Sequence, residues 1–101
     1  MAGIAFIVLA PGADPSTHRT VLPTPAYALT VVAVPDYAAG VRVARELFAA
    51  GIETIELCGG FGHRGTAEIA AAVPLAHVGV VRFDGHPGLQ GQSGDAHFAR
   101  R

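Results

Sequence analysis

The apolar positions of the chain fall into blocks separated by proline- and glycine-rich breaks. Ile4 to Ala10 is apolar without interruption, the pattern of a strand near the middle of a sheet and buried on both faces. Pro11-Gly12 stops it, and the polar stretch through Arg19 reads as a long loop, with one helical turn after Asp14-Pro15. Pro23 and Pro25 lead to a second strand, about Ala26 to Val34, rich in Val, Thr and Tyr. Pro35-Asp36 then signals a helix start, with Asp36 as the cap. Ala38, Val41, Ala44, Leu47 and Phe48 recur at spacings of three and four, which predicts one apolar face, and Gly51 is placed to end the helix. A third strand spans about Glu53 to Cys58. A second helix runs from His63 to Val73, with Ile69, Ala70 and Val73 as its stripe and Pro74 as its stop. A fourth strand covers His77 to Phe83.

The order β-β-α-β-α-β predicts a single α/β domain over residues 1–101, with two main helices on a four-stranded, mostly parallel sheet. Right-handed crossovers make the second, third and fourth strands parallel. The direction of the first strand stays open, because the loop of about fifteen residues after it permits either. Residues 85–101 form a Gly-rich tail without a period, which either crosses to a neighbouring copy, where Arg100 and Arg101 pair with acidic groups, or ends as a loose terminus.

Composition narrows the function classes. Half of the 101 residues are apolar and 15% are charged, which excludes a disordered chain. At this size the core is modest, and a homodimeric contact would improve it. The net charge of −1 leaves no basic footprint for nucleic acid or an anionic membrane surface. All seven basic residues are Arg, so no lysine is present for Schiff-base chemistry. The lone Cys58 excludes an intrachain disulfide and a multi-cysteine zinc site, and fits a reducing, cytoplasmic setting. The first apolar run has no basic region before it and is read as a strand rather than an export signal. No run approaches the roughly 20 apolar residues of a membrane span.

Candidate chemistry gathers where strands end. Leu57-Cys58-Gly59-Gly60-Phe61-Gly62-His63-Arg64-Gly65 leaves a strand and opens a helix. Its glycines permit close approach of a ligand, and the first helix amides suit an anion, with Arg64 as an added donor. Gly59, Gly60, Phe61, Gly62 and Arg64 are therefore candidate substrate-binding residues. The spacing matches neither a Walker loop nor a dinucleotide fingerprint. Arg82, Asp84 and His86 leave the fourth strand at the same edge, where ligands of open α/β sheets collect. Arg82 and Asp84 share a face by alternation, and a plain ion pair is the simplest use of them. If the first strand is parallel, Asp14 and His18 join this rim. Asp14, Cys58, His63, Asp84 and His86 then form the candidate catalytic set, with Arg82 and His18 as further binding residues. His77 and His97 are expected to face solvent.

The leading expectation is a small enzyme that needs no cofactor and performs acid–base chemistry, of isomerase, cyclase or lyase type, on a polar or carbonyl-bearing small molecule. His63 and His86 would exchange protons, Asp84 would orient or act as base, and Arg82 or Arg64 would hold developing charge. A non-catalytic module binding a small molecule or anion is the first alternative. A metal-binding or redox protein using Cys58, His63 and His86, with Asp84 or Asp14, is the second, although no paired-Cys or HExxH spacing supports it.

Three segments occur together: Leu9-Ala10-Pro11-Gly12-Ala13-Asp14-Pro15, Leu57-Cys58-Gly59-Gly60-Phe61-Gly62, and Val78-Gly79-Val80-Val81-Arg82-Phe83-Asp84 with His86-Pro87-Gly88. With them the chain resembles a family of small bacterial proteins of about this length, classed as a domain of unknown function. The resemblance implies that the three motifs belong to one rim. It assigns no activity and no catalytic residue.

Overall fold

The computed structural model describes residues 3–83 and 85–99. Five strands form one mixed sheet in the order β2-β3-β1-β4-β5: β1 (Ile4–Leu9), β2 (Arg19–Pro23), β3 (Ala28–Val34), β4 (Thr54–Leu57) and β5 (His77–Val80). β1, β3, β4 and β5 are parallel, and only β2 runs antiparallel, along the outer edge of β3. β1 is central, as its unbroken apolar run requires. Ile4 lies opposite both Leu29 and Thr54.

The expected four strands are thus corrected to five. The added strand, β2, comes from the stretch expected as loop, and it forms a hairpin with the expected β3 through a turn in which the Thr24 amide donates to the Tyr27 carbonyl at 3.0 Å. β2 is exposed along its whole length, so it carries no alternation of burial to read. Its closing Pro23 is tolerated because an edge strand has a free side.

Helices α1 (Tyr37–Ala49) and α2 (His63–Ala72) connect β3 to β4 and β4 to β5. Both connections move across the sheet in the same direction, so right-handed crossovers place both helices on the same face. Asp36 caps α1 by accepting from the Ala39 amide at 2.8 Å, and Gly51, at φ +102°, follows its end as expected. The buried stripe of α1 differs from the predicted one. Ala44 and Leu47 belong to it, but Tyr37, Ala39, Gly40 and Val43 complete it, while Ala38, Val41 and Phe48 stay half-buried. In α2, Ile69 and the following Val73 are buried and Ala70 is exposed. Tyr37 can enter the core because its hydroxyl finds polar partners there.

Ala5, Ile7, Val32, Val34, Ile55 and Leu57 point at the helices and are buried. The alternate residues Ile4, Phe6 and Val8 of β1 and Leu29, Val31 and Ala33 of β3 lie on the other face and are half-buried. The described part of the tail, residues 85–99, is not a loose end. A short 3-10 turn (Pro87–Leu89) and helix α3 (Asp95–Phe98) fold back onto the same domain, with Phe98 buried beside Tyr37 at 6.1 Å between ring centroids. The expectation for Arg100 and Arg101 falls outside the described residues. Among the described residues no helix is long and apolar enough to cross a membrane.

Candidate functional site

Because β1 is parallel to β3, β4 and β5, the loop holding Asp14 and His18 does reach the rim that carries Cys58 and Arg82. The open question about the first strand is settled in favour of a shared rim. The side chains there, however, divide among separate hollows.

The N-terminus of α2 is the position expected to take an anion, and the chain fills it with its own carboxylate. Asp95 accepts from the Arg64 amide at 3.1 Å and from the Gly65 amide at 3.3 Å. Tyr37 donates its hydroxyl proton to Asp95 at 2.8 Å and accepts from the Gly62 amide at 2.9 Å. These donors occupy positions where helix amides lack intrahelical partners, and the positive helix end favours the carboxylate. Burial works against the charge on Asp95, but the Arg64 amide, the Tyr37 hydroxyl and the Gly65 amide together outweigh it and hold the carboxyl below its ordinary value. Burial is the main cause that raises the Tyr37 hydroxyl, with Asp95 adding to it and the Gly62 amide opposing. So Tyr37 stays a donor and Asp95 stays an acceptor.

The glycines of this loop serve that arrangement. A Cβ at Gly65 would run into the Tyr37 ring, and one at Gly62 would run into Asp95. Phe61 is buried and stacks on Tyr37, with ring centroids 5.4 Å apart. Gly59 lies against the Phe83 ring. The loop expected to cradle a ligand is therefore largely packed against its own chain. Arg64 contributes its backbone amide to the Asp95 network, and its side chain is exposed.

The remaining candidates have distinct placements. The Asp14 amide donates to His18 Nδ1 at 2.8 Å, and the Asp14 carboxylate accepts from the hydroxyl and amide of Ser16, which hold it below its ordinary value. Cys58 and His86 line one apolar cavity of about 230 Å³ with Leu9, Leu89 and Phe98. The Leu9 amide donates to Cys58 Sγ at 3.2 Å, and the Gly88 amide donates to His86 Nδ1 at 2.9 Å. A backbone N–H only donates, so Nδ1 of His18 and of His86 must carry its lone pair. Each neutral ring then has its proton on Nε2 and cannot act as a base while the bond stands. Asp84 lies outside the described residues. Among the described residues no three His, Cys, Asp or Glu side chains gather as a metal site needs, so Cys58, His63 and His86 do not form the set the metal reading required. His77 and His97 are exposed, as expected.

A hollow of about 410 Å³ lies between the first turns of α2 and the end of β5. Its polar lining is His63, Thr66, Arg82, Ser93 and Asp95, and Phe61, Val80, Val81 and Phe83 supply apolar walls. Thr66 Oγ1 is shut off from solvent and meets no partner among the described residues. Neither ring nitrogen of His63 makes a hydrogen bond within the described residues, so its imidazole, unlike those of His18 and His86, keeps a lone pair available. Of the candidates from the sequence, Phe61, Gly62, His63 and Arg82 line this cavity; Thr66, Ser93 and Asp95, which also line it, and Tyr37 were not among them. Tyr37 was hidden one position outside the predicted apolar stripe. Asp95 and Ser93 sit in a tail with no periodicity to mark them.

Residues 2–96 match the family of unknown function DUF6506, and the chain belongs to that family. Comparisons with curated proteins and with solved structures give no match.

Proposed function

We propose, for a family without an assigned activity, that the cleft between α2 and β5 binds a small, polar, carbonyl-bearing molecule and that His63 moves a proton on it. One observation carries this reading: a cavity of about 410 Å³ is lined together by His63, whose ring makes no hydrogen bond among the described residues, by Arg82 and by Thr66, whose hydroxyl has no partner among them. That volume is within the range of small-molecule sites. A ligand that draws the Thr66 hydroxyl out of the cavity wall by a turn of its side chain would give Oγ1 the partner it lacks, and an unmet buried hydroxyl costs roughly 1–3 kcal/mol. His63 is the proton carrier in this scheme, Arg82 stabilises charge on the carbonyl oxygen, and Asp95 supports the helix end without exchanging protons. The reading calls for no cofactor. The single thiol of Cys58 supports a reducing, cytoplasmic setting for it.

A non-catalytic binding module is the second reading, favoured by the commitment of Asp95. With that carboxylate held by Tyr37 and two amides, His63 has no described carboxylate partner to orient it.

The test is a thermal-shift screen of small oxo and hydroxy acids, followed by proton NMR of any binder in deuterium oxide. Binding weakened by Thr66→Val, with deuterium entering the ligand for the wild type and not for His63→Gln, supports the enzyme. Binding weakened by Thr66→Val without deuterium entry for the wild type supports the binding module. Ligands that bind equally well to Thr66→Val overturn the site.

A further inference from the structure

The sequence and the fold disagree about how many faces of the sheet are covered. β1 and β3 are apolar along their whole length apart from Thr30, the pattern of parallel strands buried on both sides. Yet α1 and α2 cover one face only. The other presents Ile4, Phe6 and Val8 of β1 beside Leu29 and Val31 of β3, and Leu22 of β2 continues the patch at 57% exposure. The registers put these side chains in adjacent rows: Leu22, Leu29 and Ile4 in one, Val31 and Phe6 in the next.

We infer that this open face is the contact surface for a second copy of the chain, sheet against sheet. Two features select that occupant. The first is charge. Within the strand ladder this face carries one carboxylate, Glu56 on β4, and one imidazole, His77 on β5, placed two residues apart in register. A twofold axis through the apolar rows sets Glu56 of one copy toward His77 of the other, whereas a lipid surface would call for a basic rim, which these strands do not supply on this side. The second is area. Four strand spacings of about 4.8 Å, along strands that shorten from about 20 Å in the middle to about 13 Å at β4 and β5, give a flat footprint on the order of 350 Å². The accessible surface follows the side-chain relief and is larger. Two such faces together therefore remove on the order of 1,000 Å² from water, the level at which specific interfaces begin. Aligned sheets packed about 10 Å apart would interdigitate Phe6 and Val31 with their counterparts.

Sedimentation equilibrium of the full chain tests the inference. The wild type is expected at twice the 10.3 kDa chain mass. Phe6→Glu is expected to be monomeric. Leu22→Lys, at a position already mostly exposed, leaves the fold intact and is expected to weaken the dimer roughly tenfold, so it decides the matter even if Phe6→Glu does not fold. Leu75→Lys, at an 81% exposed position on the turn before β5, is expected to change nothing. A monomeric wild type overturns the inference, including one that uses this face for another protein or for lipid vesicles. So does a dimer that withstands both Phe6→Glu and Leu22→Lys.

Discussion

Asp95 decides what the glycine loop can do. Its carboxylate occupies the amides that an external anion would otherwise use, and Tyr37 ties it to the core. Asp95→Ala leaves those donors unmet and is expected to lower unfolding stability by roughly 1–3 kcal/mol in a denaturant melt. Tyr37→Phe is expected to cost about as much, since it also strands the Gly62 amide. The double variant should cost less than the two single changes taken together, because both break one network. The pH dependence follows from the depressed carboxyl. An unfolded aspartate titrates at about 3.9, and Asp95 titrates lower in the folded chain. Its stabilisation is therefore complete above the unfolded value and is lost as pH falls through the folded one. Asp14, held low by Ser16, and Glu46, held low by Arg19, add to the same acid limb. The comparison of wild type with Asp95→Asn isolates the Asp95 share: the variant is expected to show a shallower loss of stability below pH of about 4.

At the scale of elements, the sharpest expectation concerns Gly65 in α2. Helix propensity alone makes glycine to alanine stabilising by about 1 kcal/mol. Here the added methyl meets the Tyr37 ring, so Gly65→Ala is expected to destabilise by roughly 1–3 kcal/mol, the opposite sign. A thermal melt that rises on this change would refute the packing of α1 on α2. The same pair of helices shows what the sequence could reveal. The Asp36 cap, Gly51, and the starts of α1 and α2 are local signals written in a few adjacent residues, and all of them were readable. So was the central place of β1, from its unbroken apolar run. β2 was not, because an exposed edge strand that ends on Pro23, with Pro25 just beyond, has neither alternation nor a clean turn signal. α3 was not, because a helix of four residues has no period. Its anchor is Phe98 and its chemistry is Asp95, and both depend on contacts with residues more than thirty positions away. The rim was legible and its division into separate hollows was not, since the backbone bonds that commit His18 and His86 form only in the folded chain.

Over the whole molecule, the tail is a structural part of the domain. Phe98 is 7% exposed and closes the core over Tyr37. Phe98→Ala is expected to cost roughly 3 kcal/mol, and calorimetry showing no loss would mean that the tail does not dock. With the tail in place, Ser93 and Asp95 join His63, Thr66 and Arg82 in lining the α2–β5 cleft, the site proposed above. The most direct test is amide shift mapping of the isotope-labelled wild type with a small oxo acid that stabilises it. Shifts centred on His63, Thr66, Arg82 and Phe83 are the expected result. Shifts centred instead on Cys58, His86 and Leu89 would contradict it and move the site to the neighbouring apolar cavity.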